Sequence, residues 1–177
     1  MVEVVLRSVR VDLGSATPIL LLEEVHGERV LPIFIGQPEA AAIGYALQNV
    51  ATPRPMTHDL LGEVIATLGG RVFAVEIQSL VGSTYYGAIR LLTSEGEVTV
   101  SARPSDAIAL ALRVGSPILV NDELMAAEGQ VLELSDFDDD DDDDDHEYGD
   151  AVEAPDEEDL VAELREFLDG FGREGQA

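Results

Sequence analysis

The stretch SARPSDAIALAL, residues 101–112, places an arginine and a proline directly before an apolar run. Pro104 suits the first position of a helix, where its missing N–H costs no hydrogen bond. Ser105 and Asp106 suit the first turn, because such side chains bind free backbone N–H groups and complement the helix dipole. The stretch therefore predicts a helix over about 104–114.

A second stretch, PRPMTHDLL at 53–61, has nearly the same layout. In both arginine–proline stretches, an arginine stands outside the predicted helix, and a hydroxyl and a carboxylate fall in or beside its first turn. Helix capping accounts for the proline, hydroxyl and carboxylate. It does not explain Arg54, Arg103 or His58, so a functional site is the competing interpretation.

The rest of the sequence up to residue 128 predicts seven strands and four helices in all. Alternating or branched apolar runs bounded by turn residues predict strands at 2–11, 17–25, 29–35, 71–80, 84–93, 97–102 and 117–120. Helical spacing predicts helices at 38–49, 57–68, 104–114 and 122–128. We therefore expect an α+β domain with a mixed sheet of about six to seven strands packed with three to four helices. The tight turn between the second and third strands predicts an antiparallel hairpin.

Composition limits the classes of function. The chain of 177 residues contains no cysteine, which excludes disulfides, thiolate metal sites and cysteine nucleophiles. Its start lacks the pattern of a signal peptide, and no window approaches the ~18 apolar residues of a membrane span. We expect a soluble cytoplasmic protein with no membrane partner.

Charge is distributed unevenly along the chain, which has a net charge of −26. Residues 133–177 hold 21 acidic residues and two arginines, a net charge of −19. Residues 1–132 hold 15 acidic residues and 8 arginines, a net charge of −7. This balance weighs against general nucleic-acid binding, because affinity for phosphate comes mainly from lysine and arginine.

The same change in composition predicts the domain boundaries. Residues 1–132 are expected to form one folded domain. Eight consecutive aspartates at 138–145 repel one another, so 133–155 is predicted to be a disordered acidic linker. Apolar residues at helical spacing within 156–177 predict a C-terminal amphipathic helix that docks on a protein partner or on the folded domain. Alternatively, the aspartates mimic a nucleic-acid backbone and cover the arginines.

If the two arginine–proline stretches meet in the fold, they form a polar site for an anion. Arg54, Arg103 and Ser105 would bind phosphate, together with the free N–H groups at the helix starts.

Catalytic and metal-binding groups are available in the same stretches. His58, Asp59 and Asp106 are the candidate catalytic residues, with His58 transferring the proton. Glu39, Asp59 and Asp106 are candidate ligands for a hard divalent metal, magnesium or manganese. Against this, a single histidine at a helix start is often a hydrogen-bonded or surface residue without a catalytic role.

Three stretches together resemble the bifunctional nuclease domain family over about residues 2–130. They are LPIFIGQPEAAAIGYAL, PRPMTHDLL and SARPSDAIALALRVGSPILV. The resemblance implies an α+β domain with a mixed sheet, a homodimer or larger assembly, and nuclease activity toward DNA and RNA. The positions that match the family's motifs are Glu39, Arg54, His58, Asp59, Arg103, Ser105 and Asp106.

One departure from that family's pattern concerns Ser101. Relatives usually carry an aspartate at this place, directly before the ARPSDA motif. If that carboxylate binds a metal, the resemblance implies that catalysis is weakened or lost here.

Two functions follow from these observations. The first is a nuclease that hydrolyses phosphodiester bonds of DNA or RNA with the help of a divalent metal. The second is a non-catalytic module that binds an anionic ligand or another protein, which the acidic composition and Ser101 favour.

Overall fold

The computed structural model describes residues 1–12 and 14–131, which form a single mixed sheet with four helices. The elements are β1 (Val2–Asp12), β2 (Thr17–Glu24), β3 (Arg29–Phe34), α1 (Gln37–Leu47), α2 (Thr57–Thr67), β4 (Arg71–Val81), β5 (Thr84–Thr93), β6 (Gly96–Ala102), α3 (Pro104–Val114), β7 (Ile118–Val120), α4 (Asp122–Glu128) and β8 (Gln130–Val131). The predicted α+β class is confirmed. The predicted linker (133–155) and C-terminal helix (156–177) lie outside the described residues.

The sheet has the strand order β6-β5-β4-β7-β1-β2-β3-β8. The predicted hairpin of β2 and β3 is present, with Leu20 opposite Ile33. Only β4 and β7 pair in parallel in the described part of the chain, and α3 lies in the crossover between them. The eighth strand, beyond the six to seven expected, is β8, whose two residues pair with the start of β3. A run this short carries no alternation from which sequence could predict it.

The core is built around α3. This helix packs against α1, α2, β4 and β5. Its central residues are buried on all sides because small alanines alternate with larger apolar residues: Ala107, Ile108, Ala109, Leu110 and Ala111. Gly115 ends the helix in the left-handed conformation with φ 66°, which a glycine adopts without steric cost. The position of α3 fixes where its first turn, and therefore Arg103 and Asp106, must lie.

A close approach of backbone to backbone sets the start of α3. A Cβ atom added at Gly87 in β5 would lie 3.1 Å from the carbonyl oxygen of Glu76 and 3.4 Å from Cα of Pro104. A side chain here would require the neighbouring backbone to shift by a few tenths of an ångström. Gly87 therefore helps to seat the first turn of α3 against the sheet.

Helix α2 is held differently, because none of its residues is buried. Gly62 allows it to approach α3, where an added Cβ atom would lie 3.2 Å from Cγ1 of Val114. Several apolar side chains of this helix and its C-cap remain exposed: Leu60, Leu61, Val64 and Leu68. Within the described residues, no helix has the length and apolar character needed to cross a membrane.

Candidate functional site

The first turns of three helices meet at one cluster of charged side chains. Arg103, at the N-cap of α3, donates from Nη1 to Oε1 of Glu39 in α1 at 2.8 Å and from Nε to Oδ2 of Asp106 at 2.7 Å. His58 in α2 places Nε2 3.4 Å from Oδ1 of Asp106. The two arginine–proline stretches, 48 residues apart at this contact, are therefore neighbours in the fold.

Arg103 is the electrostatic centre of this cluster. Its hydrogen bond to Asp106 is the main cause that lowers the pKa of that carboxyl, outweighing the opposite effect of partial burial; His58 lowers it further. The carboxylates of Asp106 and Glu39 in turn raise the pKa of the Arg103 guanidinium. The Arg103 side chain remains 66% exposed, so its outer face is open to a ligand.

A glycine makes the Glu39 contact possible. The Glu39 side chain folds back toward the start of its own helix, and a Cβ atom added at Gly36 would overlap Oε2 of Glu39. Because Gly36 leaves this space free, Glu39 can lie against the start of α1 and still reach Arg103.

The contact between His58 and Asp106 is loose. Its 3.4 Å exceeds the ~2.7–3.2 Å of an ordinary N–H···O hydrogen bond. Catalytic hydrogen bonds are often long in the absence of substrate and shorten in the complex. The His58 side chain is 13% exposed, and within the described part of the chain its other ring nitrogen, Nδ1, has no hydrogen-bond partner.

Asp59 lies outside this cluster. Its Oδ2 accepts the backbone N–H of Met56 at 2.8 Å, and its Oδ1 accepts Nε of Arg113 at 2.6 Å. The Met56 N–H bond is the main cause that lowers the pKa of Asp59, with Arg113 adding to it against partial burial. This part of the 53–61 stretch thus performs capping, the alternative that the sequence left open.

Arg113 is a residue that the sequence reasoning missed. Its side chain is only 9% exposed, and it also donates to the carbonyl oxygens of Ala109 and Ala42. A single arginine at the end of the otherwise apolar run AIALALRV was the available signal. A charge there needs a partner from a neighbouring element.

The other predicted positions have separate environments. Arg54 is exposed and has no side-chain hydrogen bond or ion pair within the described part of the chain. Ser105 is 7% exposed and lines a cavity beside Arg103. Ser101 is exposed in β6 opposite Ala88, and strand alternation points it away from the side on which Ala102 packs against the core.

The predicted metal ligands do not form one site. Among residues 1–12 and 14–131, no group of three or more histidine, aspartate and glutamate side chains is placed to hold a metal ion. Glu39 and Asp106 both bind Arg103, whereas Asp59 binds Arg113. Magnesium is often held by one or two carboxylates together with waters and substrate phosphates, but here the carboxylates of Glu39 and Asp106 are already paired with Arg103. The use of magnesium or manganese stays a prediction.

The fold and the cluster define a class of protein: an α+β domain that collects an arginine, two carboxylates and an imidazole at helix starts. Within it, this chain belongs to the bifunctional nuclease domain family, whose model matches residues 20–133. Bifunctional nuclease 1 of Oryza sativa subsp. indica is 30% identical over 114 residues, which cover 63% of this chain and 34% of the rice protein. Bifunctional nuclease 1 of Arabidopsis thaliana is 30% identical over 115 residues, 63% of this chain and 35% of the plant protein.

A bacterial relative is similar along nearly the whole chain. The uncharacterized protein Rv1829 of Mycobacterium tuberculosis is 43% identical over 167 residues, covering 94% of this chain and 93% of the mycobacterial protein. This similarity extends beyond residues 20–133 matched by the family model.

Proposed function

We propose that the chain hydrolyses phosphodiester bonds of nucleic acid at the cluster formed by Arg103, Asp106 and His58. The single observation that carries the proposal is the contact between His58 and Asp106, 3.4 Å apart, beside an exposed arginine. Membership of the bifunctional nuclease domain family supports a nuclease role and nucleic acid as the substrate. DNA and RNA are both proposed substrates.

In the proposed reaction, Asp106 orients the imidazole and His58 transfers the proton. Asp106 accepts Nε2–H of His58, which leaves Nδ1 as the basic nitrogen. Nδ1 takes a proton from a water molecule, whose oxygen attacks phosphorus. The bond from phosphorus to the leaving sugar oxygen breaks, and that oxygen receives the proton from His58.

Arg103 is proposed to bind the non-bridging phosphate oxygens. Its three nitrogens each donate one hydrogen bond, two to Asp106 and one to Glu39. The remaining N–H groups of the two terminal nitrogens are available to a second anion, because the side chain is 66% exposed. Arg54 is proposed to contact a neighbouring phosphate, because its exposed side chain has no competing partner within the described residues. No step passes through a metal ion, since the carboxylates of the cluster are already bound to Arg103.

The direct test is cleavage of labelled single-stranded and double-stranded DNA and RNA by the purified chain. His58→Ala should lower the cleavage rate by about 10²–10⁴-fold, the range for loss of a general base. Asp106→Asn should lower it less, because the imidazole remains. Magnesium, manganese and EDTA arms measure metal dependence in the same assay.

The matched control is His26→Ala, which removes an exposed histidine from the turn between β2 and β3. It should cleave at the rate of the unmodified chain. Cleavage by His58→Ala at that same rate would overturn the proposed role of His58. Circular dichroism must show that each variant is folded.

A second candidate function is a module that binds an anion or a protein without cutting. The mutual pairing of Arg103 with Glu39 and Asp106 favours it, because these side chains satisfy one another in the absence of a ligand. A melting shift with nucleotides and no cleavage of any polynucleotide would select this candidate. A homodimer or larger assembly also remains a proposal, to be tested by analytical ultracentrifugation.

A further inference from the structure

A cavity of about 260 Å³ lies directly beside the charged cluster. It is bounded by the end of β3, the turn between β4 and β5, and the first turn of α3. Arg103 and Glu39 belong both to its lining and to the cluster. Any molecule held by Arg103 can therefore extend into this cavity.

The lining combines an aromatic ring with apolar walls. Phe34, the last residue of β3, is 59% exposed although it is a large apolar side chain. Ile33 and Pro104 also contribute to the lining, as does Tyr85 near the start of β5. An exposed phenylalanine in a concave site offers a flat surface on which a planar ring can stack.

Hydrogen-bonding groups lie among these apolar walls. Ser105 is 7% exposed and lines the cavity, and within the described part of the chain its hydroxyl has no hydrogen-bond partner. Because this hydroxyl borders the cavity, it is available to donate a hydrogen bond to a ligand or accept one from it. Ser83 and Thr84 add two further hydroxyl groups from the turn.

We propose that this cavity is a subsite for one unpaired nucleobase of the strand whose phosphate is held by Arg103. An aromatic face, polar groups for the edge of a base and an adjacent arginine for phosphate are together the features of a nucleotide unit. The volume of about 260 Å³ lies below the ~300–1,000 Å³ of sites for drug-sized ligands, in keeping with a single base. Because a base inside a duplex is stacked, the subsite favours single strands or splayed nucleotides.

This inference rests on the proposed function, since it assigns the substrate of the same site. It is tested by binding, so that its outcome does not depend on cleavage. Fluorescence anisotropy would compare a labelled single strand with a matched strand in which every base is removed and the sugar–phosphate backbone is kept. A gel after each titration confirms that the strands are intact.

The unmodified full-length chain should bind the strand with bases more tightly than the abasic strand. Phe34→Ala should weaken binding of the former by about tenfold, within the range for loss of base–aromatic stacking. It should leave binding of the abasic strand unchanged. Phe34→Trp keeps a stacking surface and should retain the discrimination.

The matched control is Tyr86→Ala, which removes a 48% exposed aromatic side chain outside the cavity lining. It should bind both strands like the unmodified chain. Equal binding of the two strands by the unmodified chain, binding of neither, or equal weakening of both by Phe34→Ala would overturn the subsite. Failure of the proposed catalysis alone would give a different result. His58→Ala would cleave at the normal rate, while the strand with bases would still bind more tightly than the abasic strand.

Discussion

Asp59 accepts a hydrogen bond from Nε of Arg113 at 2.6 Å, which ties the first turn of α2 to the last turn of α3. The Arg113 side chain is 9% exposed and the Asp59 side chain 34% exposed. Since α2 buries none of its own residues, this ion pair adds to the packing of Ile65 in attaching the helix that carries His58. Asp59 thus positions the site without belonging to its charged cluster.

Asp59→Ala should therefore destabilise the chain. It leaves the buried Arg113 guanidinium without its carboxylate and removes the cap on Met56 N–H, for a loss of about 2–3 kcal/mol. The measurement is urea unfolding followed by circular dichroism. The control is Glu23→Ala, whose pair with Arg7 is exposed and 3.6 Å long, so the loss should stay below about 1 kcal/mol.

A double variant separates the cost of an unpaired charge from the loss of packing. Asp59→Leu with Arg113→Met removes both charges and should recover part of the stability lost in Asp59→Ala. A double variant less stable than Asp59→Ala would contradict the view that the unpaired guanidinium causes the loss.

Acid should destabilise the chain partly through Asp59. The pKa of Asp59 lies below its ordinary value of 3.8 because of the Met56 N–H and Arg113. A carboxyl whose pKa is lowered by folding contributes stability that is present above the unfolded pKa and lost as the pH falls through the folded pKa. The free energy of unfolding should therefore decrease as the pH falls below about 5.

Asp59→Asn tests this assignment, because it removes the titrating group and keeps an oxygen that can accept Met56 N–H. The variant should be less stable than the unmodified chain at neutral pH, and the two free energies of unfolding should converge in acid. Curves that remain parallel from neutral pH down to about pH 3 would show that Asp59 does not contribute to the acid dependence.

The fold followed from local patterns. The strand at 84–93 and the helix at 104–114 have the predicted bounds, because alternation, proline and Gly115 mark their ends within the sequence itself. The last strand, β8, was not predicted, since its two residues become a strand only through pairing with β3. Local sequence patterns were therefore sufficient to predict the longer helices and strands, but not a strand that exists only through pairing with another.

The site depended on contacts that no local pattern encodes. Arg103 and Glu39 are 64 residues apart and meet only because α3 packs against α1. From the sequence, Asp59 and Asp106 were predicted to be ligands of the same metal. In the structure, Asp59 accepts a hydrogen bond from Arg113 in the last turn of α3. Because the two arginine–proline stretches have nearly the same layout, the sequence does not show that their carboxylates have different partners.

Replacement by alanine should change the free energy of unfolding in opposite directions at Gly36, the N-cap of α1, and at Gly44, within α1. Gly36→Ala would displace the Glu39 carboxylate from the helix start and weaken its ion pair with Arg103. An atom added at Gly44 meets nothing within 4 Å, so Gly44→Ala gains helix propensity without a clash. Thermal and urea unfolding should show Gly44→Ala stabilised by about 0.5–1 kcal/mol and Gly36→Ala destabilised.

The Gly36 effect should depend on Glu39. In a Glu39→Ala background, no carboxylate remains to be displaced, so Gly36→Ala should cost less than it does in the unmodified chain. The same cost in both backgrounds would contradict the displacement of Glu39.

Removal of residues 134–177 should increase the affinity of the chain for nucleic acid. The deleted segment carries Asp138–Asp145 and lies outside the described residues; its loss changes the net charge from −26 to −8. Repulsion of phosphate then decreases, most strongly at low salt because ions screen charges beyond about 10 Å at 0.1 M. Anisotropy titrations across a salt series measure this change.

Truncation in an Arg103→Gln variant distinguishes two effects of the aspartates: covering of Arg103, and general repulsion of the nucleic acid by their charge. If the aspartates cover Arg103, truncation should raise affinity less in Arg103→Gln than in the chain that keeps the arginine. If they act through net charge alone, truncation raises affinity by the same factor in both backgrounds, because the lost charges are the same. Unchanged affinity after truncation, even at low salt, would exclude both effects of the acidic segment.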